Sequence, residues 1–400
     1  MKNVILITID TLRADMLGLY GSEVNLSPHI DSLTNNYAIF KRPFATGPYT
    51  QASFQGILAS EYYLEYGKEK KLNKDKTLIS EPLKSQGIYT AGFHSNAYLS
   101  YFFGYNKGWE VFYDSMQDDV TDMYPFIRGG EINNKVKGFL SNYSFSKPLF
   151  LWVHYMDLHE PYIAEEDILS KIDPSIILSK EEMFSMFKDV VLPRDISDPK
   201  KVDTLKKLYM TKVAETDNYL KELFDIFKIH NLLDSSTIII TSDHGDEFSE
   251  HGGLSHDGKM YTELVNVPLF VYDSSFLSSV IDKPVSLIDI PPTICSMFGV
   301  EPAKSFKGKS LYPFEDIKPY TLYGEAMGKI GHKEKDSDRP IHYIIEDGIK
   351  AIYKEDGSLW EAYDIAADPK DTKDISSRLT EDKKDKLGSF IARNKQKAKI

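Results

Sequence analysis

One short segment constrains this chain most. Residues 237–242 form a run rich in Ile and Thr that predicts a buried strand, and the run stops abruptly at Asp243 and His244. Ligands of open α/β sheets collect outside the carboxyl ends of the strands, so this pair is well placed for a functional site. The alternative is an ordinary solvated turn, because Asp, His and Gly245 also suit a strand-to-loop connection.

A second apolar strand ends in the same way near the start of the sequence. Val4 to Ile9 is followed directly by Asp10. Parallel core strands place their carboxyl ends on one edge of a sheet, so Asp10 and Asp243 are predicted to lie close together. This repetition favours a site over a turn.

A hydroxyl group follows at Thr50. The helical spacing of Phe54, Ile57 and Leu58 predicts a helix whose first turn contains this threonine. Backbone N–H groups at a helix N-terminus are free and the helix dipole is positive there, which suits an anionic ester. The alternative is that Thr50 is only a helix cap without reactivity.

These segments, with others in the same order, resemble the sulfatase branch of the alkaline phosphatase superfamily. The family-like stretches run along nearly the whole chain and include N-V-I-L-I-T-I-D-T-L-R-A-D, P-Y-T-Q-A-S-F-Q-G-I-L-A-S, H-Y-M-D-L-H-E-P-Y, T-S-D-H-G-D-E-F-S-E-H-G-G and S-L-I-D-I-P-P-T-I-C-S-M-F-G. The resemblance implies an α/β fold, an alkaline-phosphatase-like three-layer sandwich around a large, mostly parallel sheet. It further implies a catalytic domain over residues 1–312 and a small C-terminal α+β subdomain over 313–400, with an antiparallel sheet and a terminal helix.

The resemblance also assigns roles to the strand-end residues. Asp10, Asp243 and His244 would bind a divalent cation, and Thr50 would supply the nucleophilic oxygen. A metal neutralises an anionic ester and lowers the cost of forming an alkoxide, which an unassisted threonine cannot do at neutral pH. The implied reaction is ester hydrolysis through a covalent intermediate.

Substrate-binding roles are implied for three further residues. His159, in D-L-H-E-P-Y, would face the anionic group of the substrate, and so would His256 and Lys259 in the glycine-rich loop before a tyrosine. Asp157 with His159 and His256 could hold a second metal, as in two-metal members of the superfamily. The alternative for His159 is a structural packing role.

Three other polar residues stand at the ends of predicted strands. Sulfatases often have a Lys-x-His pair near His94 and Asn96, but this chain has no lysine there. The substrate is therefore expected to be held differently here, with His94 or Asn96 as candidates for the pocket. His154 falls within a strand pattern and is predicted to be a core histidine.

Two departures from the family pattern bear on the chemistry. Formylglycine sulfatases carry Cys or Ser within a C/S-x-P/A-x-R motif, whereas this chain has Thr50 and, four residues later, Phe54. Threonine cannot give formylglycine, so none is expected. Thr11 replaces the family's second aspartate and His244 an asparagine, and the added imidazole favours Zn²⁺ or Mn²⁺, with Ca²⁺ as a further option.

The sequence therefore predicts a metal-dependent, sulfatase-like hydrolase that cleaves phosphate mono- or diesters, or sulfate esters, through Thr50. Two alternatives stay open. One is a sulfatase that works without formylglycine, and the other is an inactive relative that binds an anionic ligand.

Composition restricts the partners. The 400 residues carry a formal net charge of −12, which argues against nucleic acid and an anionic membrane and leaves a small anionic ester as the expected partner. Cys295 is the single cysteine, so no intrachain disulfide can form. With no apolar run long enough to span a membrane and no secretory signal ahead of the first strand, a cytoplasmic location is expected. Assembly into a homo-oligomer is left open.

Two longer segments have contrasting patterns. Residues 202–229 have apolar residues at helical spacing and predict one long amphipathic helix on the sheet. Residues 164–200 are polar and punctuated by prolines, which predicts an irregular insertion over the rim of the site. Residues 267–272 predict another core strand.

Overall fold

The computed structural model describes residues 2–32, 36–66, 71–256, 258–328, 339–354 and 360–397. The strands of this part are β1 (Asn3–Ile9), β2 (Tyr37–Phe40), β3 (Pro43–Phe44), β4 (Tyr89–His94), β5 (Val111–Asp114), β6 (Leu149–Tyr155), β7 (Ser236–Ser242), β8 (Glu247–Phe248), β9 (Leu254–Ser255), β10 (Leu269–Tyr272), β11 (Ser279–Ile281), β12 (Val285–Ser286), β13 (Leu322–Gly328), β14 (Arg339–Glu346), β15 (Ile349–Lys354) and β16 (Trp360–Asp364). Its α-helices are α1 (Pro28–Ser32), α2 (Thr50–Ala59), α3 (Ser80–Ser85), α4 (Gly129–Asn142), α5 (Glu166–Ile172), α6 (Lys180–Met186), α7 (Pro199–Ile229), α8 (Leu232–Ser235), α9 (Thr262–Val265), α10 (Ile290–Met297) and α11 (Glu381–Lys397).

A large sheet forms the centre of the described chain, with eight strands in the order β11-β2-β10-β7-β1-β6-β4-β5. The strands β7, β1, β6, β4 and β5 are parallel to one another. The predicted core strand at 267–272 is β10, which runs antiparallel to both of its neighbours. The expected α/β fold around a large, mostly parallel sheet is confirmed.

Alternation along the strands explains the layers on both faces of the sheet. In β1, Ile5, Ile7 and Ile9 belong to one apolar core with residues of α4 and α7, whereas Val4 and Leu6 belong to a second core with residues of α2, α3 and α10. Successive side chains of a strand point to opposite faces, so an uninterrupted apolar strand needs a cover on each side. Fully burying such a side chain stabilises the fold by roughly 1.5–3 kcal/mol.

The long helix is observed as α7 and begins slightly earlier than predicted. Asp198 accepts hydrogen bonds from the backbone N–H groups of Lys200 and Lys201, and Pro199 occupies the first helical position. A capping carboxylate followed by proline is a strong helix start, because proline lacks the N–H that a first turn leaves unpaired.

The segment 164–200 is not irregular, contrary to the sequence-based expectation. It contains α5, α6 and a π-helical turn at Phe187–Val191. Leu169, Met183 and Val190 are buried in the core that α7 also contributes to. Its polar residues are the solvent faces of short helices, and the prolines mark their connections.

The C-terminal part contains the predicted antiparallel sheet, formed by β13-β14-β15-β16. The predicted terminal helix, α11, packs Leu387 and Phe390 against one face of this sheet. The sequence pattern predicts the last strand of this sheet over residues 359–363, and Leu359 lies outside the described residues. The boundary between residues 312 and 313 stays a prediction. No helix of the described residues is long and apolar enough to cross a membrane.

Candidate active site

Four adjacent parallel strands end at one edge of the sheet, and each brings a polar residue there. Asp243 follows β7, Asp10 follows β1, His154 is the next-to-last residue of β6, and Asn96 stands just after β4. The Asn96 side chain donates to Asp10 Oδ2 at 2.9 Å, and His154 Nε2 lies 3.6 Å from the same oxygen. His244 Nε2 lies 3.4 Å from Asp243 Oδ2 and 3.7 Å from Asp10 Oδ1.

Thr50 is the first residue of α2, as its sequence context predicts. Its Oγ1 lies 3.4 Å from Asp10 Oδ2, 3.5 Å from His244 Nε2 and 3.4 Å from the amide nitrogen of Asn96. The preceding residue, Tyr49, has an extended backbone and no side-chain cap, so it leaves the N-terminal turn without a covering group. The hydroxyl, the two strand-end carboxylates and the imidazole therefore form one buried cluster.

The C-terminal sheet braces the segment that leads into Thr50. Gly47 is required there, since a Cβ would fall 2.3 Å from the Cβ of Ala52. Three hydrogen bonds of 2.8 Å fix the same segment; they run from Tyr343 Oη to Ala45 O, from Glu325 N to Thr46 O and from Met327 N to the Tyr49 hydroxyl.

Three atoms of this cluster are free to bind a cation. Asp243 Oδ1 accepts from the backbone N–H groups of Thr11 and His244, which leaves Oδ2 without a partner. Asp10 Oδ1 is also buried without a hydrogen-bond partner. His244 Nδ1 faces the Gly245 carbonyl at 3.1 Å, so the proton belongs on Nδ1 and the lone pair on Nε2. Two carboxylate oxygens and one imidazole nitrogen within 4.8 Å of one another fit a divalent cation.

The charges of the cluster also favour a bound cation. Burial and the negative charge of Asp10 raise the pKa of Asp243 well above its ordinary value. Burial opposes ionisation of Asp10 too, but the imidazoles of His154, His244 and His159 hold the pKa of this carboxyl below its usual range. Burial, with the charge of a neighbouring histidine, lowers the pKa of His244 to about 4, so the ring is neutral and able to act as a ligand. Two buried carboxylates that repel each other need a counter-charge.

One strained backbone residue lies beside the cluster. Thr11 has a φ of 58°, although it is β-branched and fully buried. This conformation is costly for such a residue and persists at sites that require it. Here it directs the Thr11 N–H to Asp243 Oδ1 at 3.3 Å.

A second cluster adjoins the first through His256. The His256 and His244 ring centroids are 4.6 Å apart, and those of His256 and His159 are 5.0 Å apart. Asp246 Oδ1 lies 2.8 Å from His256 Nδ1, and Glu160 Oε2 lies 3.7 Å from it. Burial opposes protonation of His256, but these two carboxylates raise its pKa to about 10. His256 is therefore protonated, and its positive charge lies between these carboxylates and the His244 ring.

Other predicted site residues lie elsewhere. Lys259 donates to Glu247 Oε2 at 2.9 Å and to the His251 carbonyl at 2.9 Å, and no hydrogen bond of the described chain joins it to the Thr50 cluster. The acid grouped with His159 and His256 is Glu160 rather than Asp157, whose charge interacts with Lys212.

Of His94 and Asn96, only Asn96 contacts the Thr50 cluster through a hydrogen bond of the described residues. Asn96 reaches Thr50 and Asp10, whereas His94 stacks on Trp152 and is fully buried. His154 does lie in the strand, as predicted, but it also borders the cluster.

Sequence reasoning missed Asp246 and Glu160. The signal for Asp246 was its place two residues after His244 in a strand-end turn, and Glu160 stands directly after His159 in the D-L-H-E-P-Y motif. Neither spacing shows which atoms meet, because His256 comes from a separate loop.

Comparisons with known proteins agree with the fold. The sequence model of the family described as Sulfatase matches residues 2–300. An arylsulfatase of Clostridium perfringens (strain 13 / Type A) is 23% identical over 433 residues, covering 92% of this chain and 89% of its own. The phosphonate monoester hydrolase of Agrobacterium radiobacter has a similar fold, with a TM-score of 0.77, 17% identity and coverage of 99% and 96%. A protein solved with its substrate D-glucosamine-2-N,6-O-disulfate has a TM-score of 0.80, 18% identity and coverage of 99% and 98%.

Proposed function

The chain belongs to the sulfatase family of ester hydrolases, and from this premise we propose that it cleaves phosphate or phosphonate esters faster than sulfate esters, with Thr50 as the nucleophile. The observation that carries the proposal is the Thr50 hydroxyl at the start of α2, within 3.5 Å of Asp10 and His244. The relatives supply a precedent for both ester types, since their names include an arylsulfatase and a phosphonate monoester hydrolase.

A divalent cation, Zn²⁺ or Mn²⁺ rather than Ca²⁺, would be held by Asp10 Oδ1, Asp243 Oδ2 and His244 Nε2. When bound, it would supply Lewis-acid charge that favours the alkoxide form of a neighbouring hydroxyl. The nitrogen ligand supports Zn²⁺ or Mn²⁺, because Ca²⁺ prefers oxygen ligands only.

The chain's own groups would carry the proton and hold the anion. Thr50 Oγ1 attacks the phosphorus, an O–P bond to threonine forms, and the bond to the leaving oxygen breaks; the alcohol departs as its anion and takes a proton from water. The ionised Asp10 Oδ2 accepts the hydrogen bond of the Thr50 hydroxyl at 3.4 Å and passes its proton on to solvent, because a carboxyl with a lowered pKa does not retain one. Free N–H groups of the first turn of α2 face the non-bridging oxygens. The protonated His256 would place positive charge beside the same anionic group, and His159 would offer it a ring nitrogen. Water then attacks the phosphorus, the O–P bond to Thr50 breaks, and the threonine oxygen regains a proton from that water; the product is phosphate from a monoester, a monoester from a diester, or the free phosphonate.

The preference for phosphorus rests on the nucleophile. Threonine cannot form a geminal diol, so a sulfated Thr50 could be released only by water attack on the ester. A phosphorylated Thr50 can be hydrolysed by water that is activated beside His256 and His159. We therefore expect sulfate esters to be the slower substrates.

The test is a comparison of aryl phosphate, phosphodiester, phosphonate and sulfate esters at saturating Mn²⁺ and then Zn²⁺. The phosphorus esters should be cleaved faster, Thr50→Ala should abolish turnover, and mass spectrometry of a rapidly quenched reaction should find the phosphoryl group on Thr50. Ser53→Ala is a matched control, because Ser53 is a buried hydroxyl one turn further along α2.

Two results would change the assignment. A tenfold preference for the sulfate ester, about 1.4 kcal/mol of transition-state stabilisation, favours a sulfatase that works without formylglycine. Retention of anion binding with no turnover of any ester favours an inactive anion-binding relative. A cytoplasmic location is part of the proposal and is supported by the single cysteine, Cys295; cell fractionation tests it.

A further inference from the structure

A chain of buried polar groups lies directly beneath Asp10. Trp152 Nε1 donates to Thr8 Oγ1 at 3.0 Å, and Thr8 Oγ1 lies 2.9 Å from His154 Nδ1. His154 Nε2 in turn lies 3.6 Å from Asp10 Oδ2. All four side chains are fully buried.

The strand register creates this chain. In the parallel pair of β1 and β6, Thr8 is opposite His154 and Leu6 is opposite Trp152. Alternate residues of a strand share a face, so Trp152 and His154 point to the same side as Thr8. The ring edge of Phe54, at a centroid distance of 5.0 Å, and the stacked indole of Trp152 hold the imidazole plane.

The direction of the hydrogen bonds follows from the donors available. An indole N–H can only donate, so Thr8 Oγ1 must accept it. Among the described residues, the acceptor within hydrogen-bond distance of the Thr8 hydroxyl is His154 Nδ1. Nδ1 therefore carries the lone pair, and the proton of the neutral imidazole lies on Nε2, which faces Asp10 Oδ2.

We propose that His154 is a positioning residue for the cation site: its Nε2–H, oriented by Trp152 and Thr8, faces Asp10 Oδ2 across 3.6 Å, which is longer than a hydrogen bond, and attracts this oxygen electrostatically, so that Oδ1 turns toward the cation. Asn96 supports the same oxygen from the side of β4 at 2.9 Å. The assignment rests on the cation site of the proposed function, and it excludes His154 as a metal ligand. Groups that orient a ligand in this way commonly change metal affinity 10- to 100-fold when removed.

The first experiment measures the imidazole itself. The ¹⁵N NMR shifts of His154 in the metal-free protein should show an unprotonated Nδ1 and a protonated Nε2. Both shifts should stay in those ranges after Zn²⁺ is added. A protonated Nδ1, or an Nε2 that takes the shift of a metal-bound nitrogen, overturns the proposal.

The second experiment measures Mn²⁺ binding by calorimetry, without any substrate. His154→Leu should weaken binding 10- to 100-fold, whereas His154→Gln, whose amide can donate from nearly the same place, should bind within threefold of the parent. His94→Gln is the matched control, because His94 is equally buried and stacks on Trp152 but does not contact Asp10. It should bind as the parent does.

The outcomes separate the two proposals. If the parent binds Mn²⁺ and His154→Leu binds it with the same affinity, the positioning role alone is overturned. Equal weakening in His154→Leu and His154→Gln also overturns it, since the donor would then not be what matters. A parent that binds neither Mn²⁺ nor Zn²⁺ overturns the cation site and the positioning role with it. The melting temperature of metal-free His154→Leu shows whether this variant folds. If it does not fold, the Mn²⁺ affinity of His154→Gln and the NMR shifts of His154 test the positioning role.

Discussion

Replacing Asn96 by alanine should reduce catalysis without dismantling the fold. The Asn96 amide donates to Asp10 Oδ2 at 2.9 Å and reaches Thr50 Oγ1 at 3.4 Å. A hydrogen bond to a charged group contributes roughly 1.5–3 kcal/mol, which corresponds to roughly 10- to 150-fold in rate. We expect kcat/KM for the fastest aryl phosphate to fall within that range in Asn96→Ala.

The same side chain has a structural role that must be separated from the catalytic one. Asn96 Oδ1 accepts from the Tyr98 N–H at 2.9 Å and caps a short 3₁₀ turn. Losing a cap costs about 1 kcal/mol of stability. Asn96→Asp keeps this acceptor but replaces the donor by a second carboxylate beside Asp10. It should therefore retain the cap and still lose activity.

The assay is kcat/KM at saturating Mn²⁺, with thermal unfolding of each variant measured in parallel. Asn266→Ala is a suitable control, because its amide donates to a single backbone carbonyl, that of Pro43, at 2.9 Å. Activity of Asn96→Ala within threefold of the parent would refute the reasoning. So would an Asn96→Asp variant as active as the parent.

Three further predictions concern stability and reactivity. Burial opposes ionisation of Glu250, but the charges of Arg13 and Lys206 lower its pKa to about 2, so the stability that Glu250 contributes is present above pH 4.5 and is lost as the pH falls toward 2. The difference in melting temperature between the metal-free parent and Glu250→Gln should therefore disappear between pH 4.5 and pH 2, and a constant difference would contradict this. Lys350 and Asp371 form a fully buried ion pair, so Lys350→Met should lower the free energy of unfolding in urea by about 3–5 kcal/mol. Adding Asp371→Leu should recover part of this loss, and a double variant as unstable as Lys350→Met would contradict the role of the pair. Burial raises the pKa of the Cys295 thiol to about 12, so it should resist a thiol reagent in the native protein and react once unfolded; rapid native labelling would show that the helix α10 opens.

The sequence was informative wherever a strand stopped at a polar residue. Asp10, Asp243 and His244 follow apolar runs, and the structure brings all three together with Thr50 because those runs are neighbouring parallel strands. The helix start at Thr50 was also predictable, since local spacing fixes it. These are properties of short segments, and short segments are what sequence patterns report.

The sequence was less informative wherever function depends on register or on a distant loop. Thr8 and His154 are polar residues within otherwise apolar strands, and this exception indicates a special role for each. Only the pairing of β1 with β6 shows that the two side chains meet. Polar composition misled at 164–200, because helices with one buried face have mostly polar residues. The reversed direction of β10 has no local sequence signature at all.

The hydrogen bonds from the C-terminal sheet to residues 45–49 also bear on when a newly made chain becomes competent. Thr50 leaves the ribosome early, but the partners of its approach segment, from Glu325 to Tyr343, follow about 275 residues later. At 5–20 residues per second, that delay is on the order of 15–60 s. During that time Thr46 and Tyr49 have none of these partners, so the Thr50 hydroxyl is not yet held in place. The strands that carry Asp10 and Asp243 are therefore synthesised before the Thr50 hydroxyl beside them is fixed, and the time of synthesis sets when the site can be complete.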